Sequence, residues 1–149
     1  MKPFKFPLER VLEWRRAQAV AEEMKLTELQ HEKSMLSEQL AGLCTSRERS
    51  ARQLHQEAAI TGATLRILDG YQAKTLQKKR EIAEKQRECA KRIEQQQEVV
   101  REARRAQRLL EKLREYKRAE WKYLTEREIE QVAGETYLAK WGRNAGRRH

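Results

Sequence analysis

Residues 71–133 contain neither proline nor glycine. Proline costs about 3 kcal/mol inside a helix and glycine about 1 kcal/mol. A run of 63 residues without either, dominated by Lys, Glu, Gln, Arg and Ala, predicts one very long helix. At 1.5 Å per residue such a helix is roughly 95 Å long. Its apolar residues are sparse: Leu76, Ile82, Ile93, Val99, Val100, Leu109, Leu110, Leu113, Trp121 and Leu124. A helix that long and that polar cannot bury a face against itself. It needs a partner helix, and the first sixty residues have the pattern of one.

From Leu8 a heptad runs in two columns. One holds Leu12, Ala19, Leu26, Lys33, Leu40, Arg47 and Leu54; the other holds Leu8, Arg15, Glu22, Leu29, Leu36, Leu43 and Ser50. The leucines are densest between Leu26 and Leu43, in the alternating three-and-four spacing of a coiled-coil seam. The later stretch repeats the pattern with more polar entries. Its columns hold Leu65, Gln72, Lys79, Gln86, Ile93, Val100, Gln107, Arg114 and Trp121, and Leu68, Thr75, Ile82, Cys89, Gln96, Ala103, Leu110, Lys117 and Leu124. That seam is marginal alone. A charged fraction of 38% with 6% aromatics suits a narrow seam better than a globular core. The same composition would suit disorder, but the apolar residues recur with a period.

The expected fold is all-α: a single domain, residues 1–149, forming a long antiparallel two-helix coiled coil, or helical hairpin. Pro7 suits the first turn of helix 1, and Glu9 sits near the positive end of its dipole. Helix 1 is expected over about 7–59, the turn near 59–64, helix 2 over about 64–140, and a frayed basic tail over 141–149. Gly62 reads as a C-cap for helix 1, with Thr61 or Thr64 capping helix 2. Asp69-Gly70 is a second turn signal. Facing residues whose numbers add to 122 put the pivot at 61, beside Gly62. Leu40 then opposes Ile82 and Leu29 opposes Ile93. Phe4 and Phe6 come level with Tyr116 and Trp121, where rings can close the open end.

Cys44 and Cys89 form no CxxC pairing and miss each other in that register, which predicts two free thiols and no zinc site. The first residues lack the apolar run of a signal peptide, and no stretch has the ~20 apolar residues of a membrane span. The chain thus reads as cytosolic. His31 and His55 fall on outward heptad positions, and no phosphate loop or nucleophile–base pair is evident, so an enzyme is not expected and neither is a cofactor. Residues 1–75 carry 12 basic and 10 acidic side chains and residues 76–149 carry 21 and 13, so the second half holds +8 of the net +10. Such a field answers an acidic protein, a phosphate backbone or an anionic membrane. Arg101, Arg104, Arg105, Arg108 and Arg114 crowd one segment, but Glu98, Glu102, Glu111 and Glu115 interleave at helix-neighbour spacing. That arrangement favours intrahelical pairs over a phosphate-tracking stripe, so nucleic acid is not the expected partner.

The opening Phe4-Lys-Phe-Pro-Leu-Glu-Arg-Val-Leu-Glu-Trp-Arg-Arg16 resembles the start of the FliJ family, a soluble component of the bacterial flagellar type III export apparatus. Leu109-Leu-Glu-Lys-Leu-Arg-Glu-Tyr-Lys-Arg118, and the tract through Glu126, Glu128 and Glu130, look like that family's second signature. The middle is generic coiled coil. There are departures: glutamine stands at 131 where members often have a second acid, and Ser46 and Ser50 stand where some have tyrosines. The resemblance implies an adaptor, similar to a rotary-ATPase stalk, that engages and stimulates a hexameric export ATPase. It further implies a link to a membrane export gate, service to export chaperones, and a cytoplasmic place at the inner-membrane export apparatus. By the same implication Arg10, Arg15, Arg104, Arg108 and Arg114 face the ATPase ring, and Gln39, Leu43, Tyr71 and Leu76 face the gate. The equivalent component of a virulence secretion system, or a basic scaffold binding nucleic acid, are the competing readings.

Overall fold

The computed structural model describes residues 2–56 and 59–147. Two helices account for nearly all of them: α1 (Glu9–Gln56) and α2 (Gly62–Gly146). They pack against each other as a helical hairpin, and no strand occurs among the described residues. Residues 57–58 and 148–149, which the expected end of helix 1 and the expected tail include, lie outside that description.

α1 begins two residues later than expected. The Glu9 amide donates to the Phe6 carbonyl at 3.2 Å, so Pro7 and Leu8 form a turn that feeds the helix. Four of its serines and threonines are accommodated by back-bonding. Thr27, Ser37, Thr45 and Ser50 each donate a hydroxyl proton to the carbonyl four residues earlier, at 3.0–3.1 Å. α2 begins earlier than expected. Thr61 caps it: the Thr64 amide donates to Thr61 Oγ1 at 3.4 Å and the Leu65 amide to the Thr61 carbonyl at 3.1 Å. Gly62 is therefore the first residue of α2 and not a C-cap, and it has no positive φ. Asp69 and Gly70 lie within α2, so they make no turn. α2 also runs on through Trp141 and Gly142 to Gly146, where a frayed tail was expected.

The chain packs as two compact units. One is Ala19–Ala103; the other joins the residues up to Gln18 with those from Arg104 onward. In the first unit, Leu36, Ile82, Cys89 and Ile93 are buried, with Leu26, Leu29, Leu40 and Leu43 packed against them. The Cys89 thiol donates to the Leu29 carbonyl at 3.4 Å, and Gln96 Nε2 donates to the Glu22 carbonyl at 3.0 Å and to its carboxylate at 2.6 Å. A seven-residue step down α1 matches a seven-residue step up α2, which is the signature of antiparallel helices. The numbers of these two pairs add to 118, and those of the ion pairs Glu9–Arg114 and Arg16–Glu111 to 123 and 127, on either side of the expected 122. Both cysteines are free thiols, Cys44 exposed and Cys89 buried.

In the second unit Phe6 and Leu12 are buried, Leu12 completely. Two ion pairs join its stretches of chain: Glu9 Oε2 to Arg114 Nε at 3.0 Å and Glu111 Oε1 to Arg16 Nε at 3.2 Å. Trp121 Nε1 donates to the Lys2 carbonyl at 3.3 Å, and the Phe4 and Trp121 rings are 5.9 Å apart between centroids. The expected aromatic closure thus involves Phe4 and Trp121. Tyr116 is 65% exposed and takes no part beyond a Lys117 ammonium 5.9 Å from its ring.

Candidate functional site

The nine residues that the resemblance assigns to partner contacts fall into two sets. Arg10, Arg15, Arg104, Arg108 and Arg114 all belong to the unit that contains residues 2–18. Gln39, Leu43, Tyr71 and Leu76 all belong to the other.

The arginines are not equivalent. Arg10, Arg104 and Arg108 are exposed, while Arg15 and Arg114 are half-buried. Arg114 is committed to Glu9, the first residue of α1. Arg15 donates to Gln18 at 3.3 Å and lies with its guanidinium 4.9 Å from the Trp14 ring centroid. Arg108 stands near Glu111. The carboxyl of Glu111 is held below the usual carboxylate range, first by its hydrogen bond from Gln107 and then by Arg16, with Arg108 adding a smaller pull. Arg101, Arg104 and Arg108 recur at three-and-four spacing and so share one side of α2. Arg101 is paired there with Glu98 at 3.3 Å.

The gate set is only partly gathered. Gln39 and Leu43 line one groove of about 390 Å³ with Gly42, Lys78, Glu81, Ile82 and Lys85. Leu43 is packed on the leucine cluster, so it serves the seam first. Tyr71 and Leu76 line separate grooves, of about 250 and 350 Å³. They are 37% and 51% exposed, and Thr75 between them is buried with its hydroxyl on the Tyr71 carbonyl at 2.9 Å.

Two features escaped the sequence reading. One is a mostly apolar groove of about 510 Å³ beside the ring pair, walled by Pro3, Phe4, Pro7, Trp121 and Leu124 and bordered by Lys2, Lys5, Lys117 and Glu120. Glu120 accepts from Lys117 at 2.9 Å, which raises the Lys117 pKa. The other is the end of α2, where every described residue from Glu126 onward is exposed although the helix continues. A signal for it exists in the sequence: Thr125, Ile129, Val132, Thr136 and Ala139 extend the three-and-four spacing beyond Trp121.

Among the described residues, no three His, Cys, Asp or Glu side chains are grouped to hold a metal ion. No helix among them is long and apolar enough to cross a membrane. Comparison with models of known families, with curated proteins and with solved structures finds no match to this chain.

Proposed function

We propose that this chain is a non-enzymatic adaptor of type III protein export, one that engages and stimulates a hexameric export ATPase and links it to the cytoplasmic part of a membrane export gate. The observation that carries this reading is the partition of its surface residues on a two-helix scaffold. The arginine set lies wholly in the unit holding both the N-terminal segment and the end of α2, and the gate set lies wholly in the other. A helix pair with a narrow apolar seam and a charged exterior suits a subunit that enters a ring without adhering to it. The two end motifs that resemble the FliJ family support the same reading, and with it service to export chaperones. Within the ring set, Arg104 and Arg108 are the best candidates, because both are exposed and they share one side of α2.

The test is titration of the full chain into the cognate flagellar export ATPase at physiological salt, following phosphate release and ring formation. The ATPase of a virulence secretion system serves as the comparison arm. The expected result is stimulation with ring assembly, reduced several-fold by Arg104→Glu with Arg108→Glu while helicity is retained. Absence of both binding and stimulation overturns the reading; preference for the virulence ATPase reassigns the system.

A further inference from the structure

The end of α2 carries a seam-like face that no described residue covers. In the unit to which it belongs, α2 presents one face inward: Leu110, Arg114, Trp121 and Thr125 are all half-buried. The next residues at that spacing are Ile129, Val132, Thr136 and Ala139. They occupy the same face for more than two further turns, yet Ile129 is 49% and Val132 62% exposed. A face that repeats the three-and-four spacing of a seam is suited to another helix.

Charge along this segment indicates which helix. Residues 126–135 hold Glu126, Glu128, Glu130 and Glu135 against one basic residue, Arg127. Residues 140–147 hold Lys140, Arg143 and Arg147 and no acid. The segment is thus acidic in its first half and basic in its second. A parallel neighbour of the same sequence sets acid beside acid. An antiparallel neighbour of the same sequence sets each acidic half beside a basic half, twice over.

We propose that residues 125–143 form an antiparallel two-helix pair with the same segment of a second copy of this chain. The seam then layers Ile129 against Ala139 of the second copy and Val132 against Thr136 of the second copy, with the reciprocal layers following by two-fold symmetry. Ile129 meets the smaller Ala139, and Val132 meets the isosteric Thr136. Glu126 comes alongside Lys140 of the second copy on one flank of the seam, and Arg143 lies on the seam level with Thr125 of the second copy. The contacts these groups make within the chain leave room for this: Glu126 is 3.9 Å from Lys122, and Arg143 donates its Nε to the Ala139 carbonyl at 3.2 Å. With two large seam residues per copy the association is weak, with a Kd on the order of 10 µM or above. The proposal is independent of the export reading.

Sedimentation equilibrium of the full chain, from a few to several hundred micromolar, tests it. The expected result is a monomer–dimer equilibrium that weakens as salt rises. Glu126→Lys with Glu128→Lys, and separately Lys140→Glu with Arg143→Glu, should each leave a monomer. The chain with all four changes should dimerise again, because both halves are then reversed together. Ile129→Asp should abolish association in every background. Circular dichroism checks that each variant keeps its helix content, which the exposure of these positions predicts. A wild-type chain that stays monomeric throughout overturns the proposal. So does a dimer indifferent to these changes, or a fourfold variant that stays helical and monomeric.

Discussion

Leu12 shows what a single seam position does in so thin a structure. It is fully buried, the only leucine in that state among the described residues, while Leu109 on α2 is 64% exposed. A hairpin has one layer of side chains between its helices, so a truncated side chain cannot be replaced by a second layer behind it. Leu12→Ala is expected to cost about 2–5 kcal/mol, and Leu109→Ala within about 0.5 kcal/mol of nothing. Urea unfolding of the two variants beside the parent checks this, and equal losses would show that Leu12 lies outside the cooperative core. The polar seam entries work differently. Gln96 bridges to both the carbonyl and the carboxylate of Glu22, and its hydrogen bond, with a lesser pull from Lys25, holds the Glu22 carboxyl below its usual range. A seam glutamine that makes two cross-helix bonds keeps its burial cost low and helps fix which residues face each other.

At the level of the helices, the faces were legible in the sequence and the helix ends were not. Every buried residue of α2 — Thr75, Ile82, Cys89, Ile93, Val100 and Ala103 — lies in a heptad column, because spacing states directly which side of a helix a residue occupies. Where a helix starts depends on its cap, and Gly62 points to the wrong helix. A glycine between two helical patterns reads as the end of the first, whereas here Thr61 supplies the cap of the second and Gly62 follows it. Gly70 misleads in the same way: its cost of about 1 kcal/mol is small beside the helix that continues on both sides of it. The candidate contact residues were legible as positions but not as groupings, since Tyr71 and Leu76 share a helix while lining different grooves. Gly70 also gives the prediction for this scale. A Cβ at that position meets nothing within 4 Å, and no glycine among the described residues has a positive φ. Gly70→Ala should therefore raise stability by about 0.5–1 kcal/mol, read as an upward shift in the urea midpoint. A loss of stability would place position 70 in a bend after all.

For the whole molecule the question is what a net charge of +10 attracts. The basic cluster is not a row of idle cations. Arg101 pairs with Glu98, Arg16 with Glu111 and Arg114 with Glu9, while Arg104 and Arg105 also have partners of their own. A phosphate backbone would have to compete with these pairs for the arginines that make them. A polyanion therefore feels mainly the diffuse field, and binding should behave as non-specific electrostatics. If about three or four cations engage, raising salt from 50 to 200 mM lowers duplex DNA affinity on the order of 100-fold. Stimulation of an export ATPase rests on a fitted helix pair and should fall by much less over the same range. Fluorescence anisotropy with a labelled duplex, set beside phosphate release at the same salts, separates the two. DNA binding that persists at physiological salt, with stimulation that collapses first, would make the nucleic-acid scaffold the better account of the basic half.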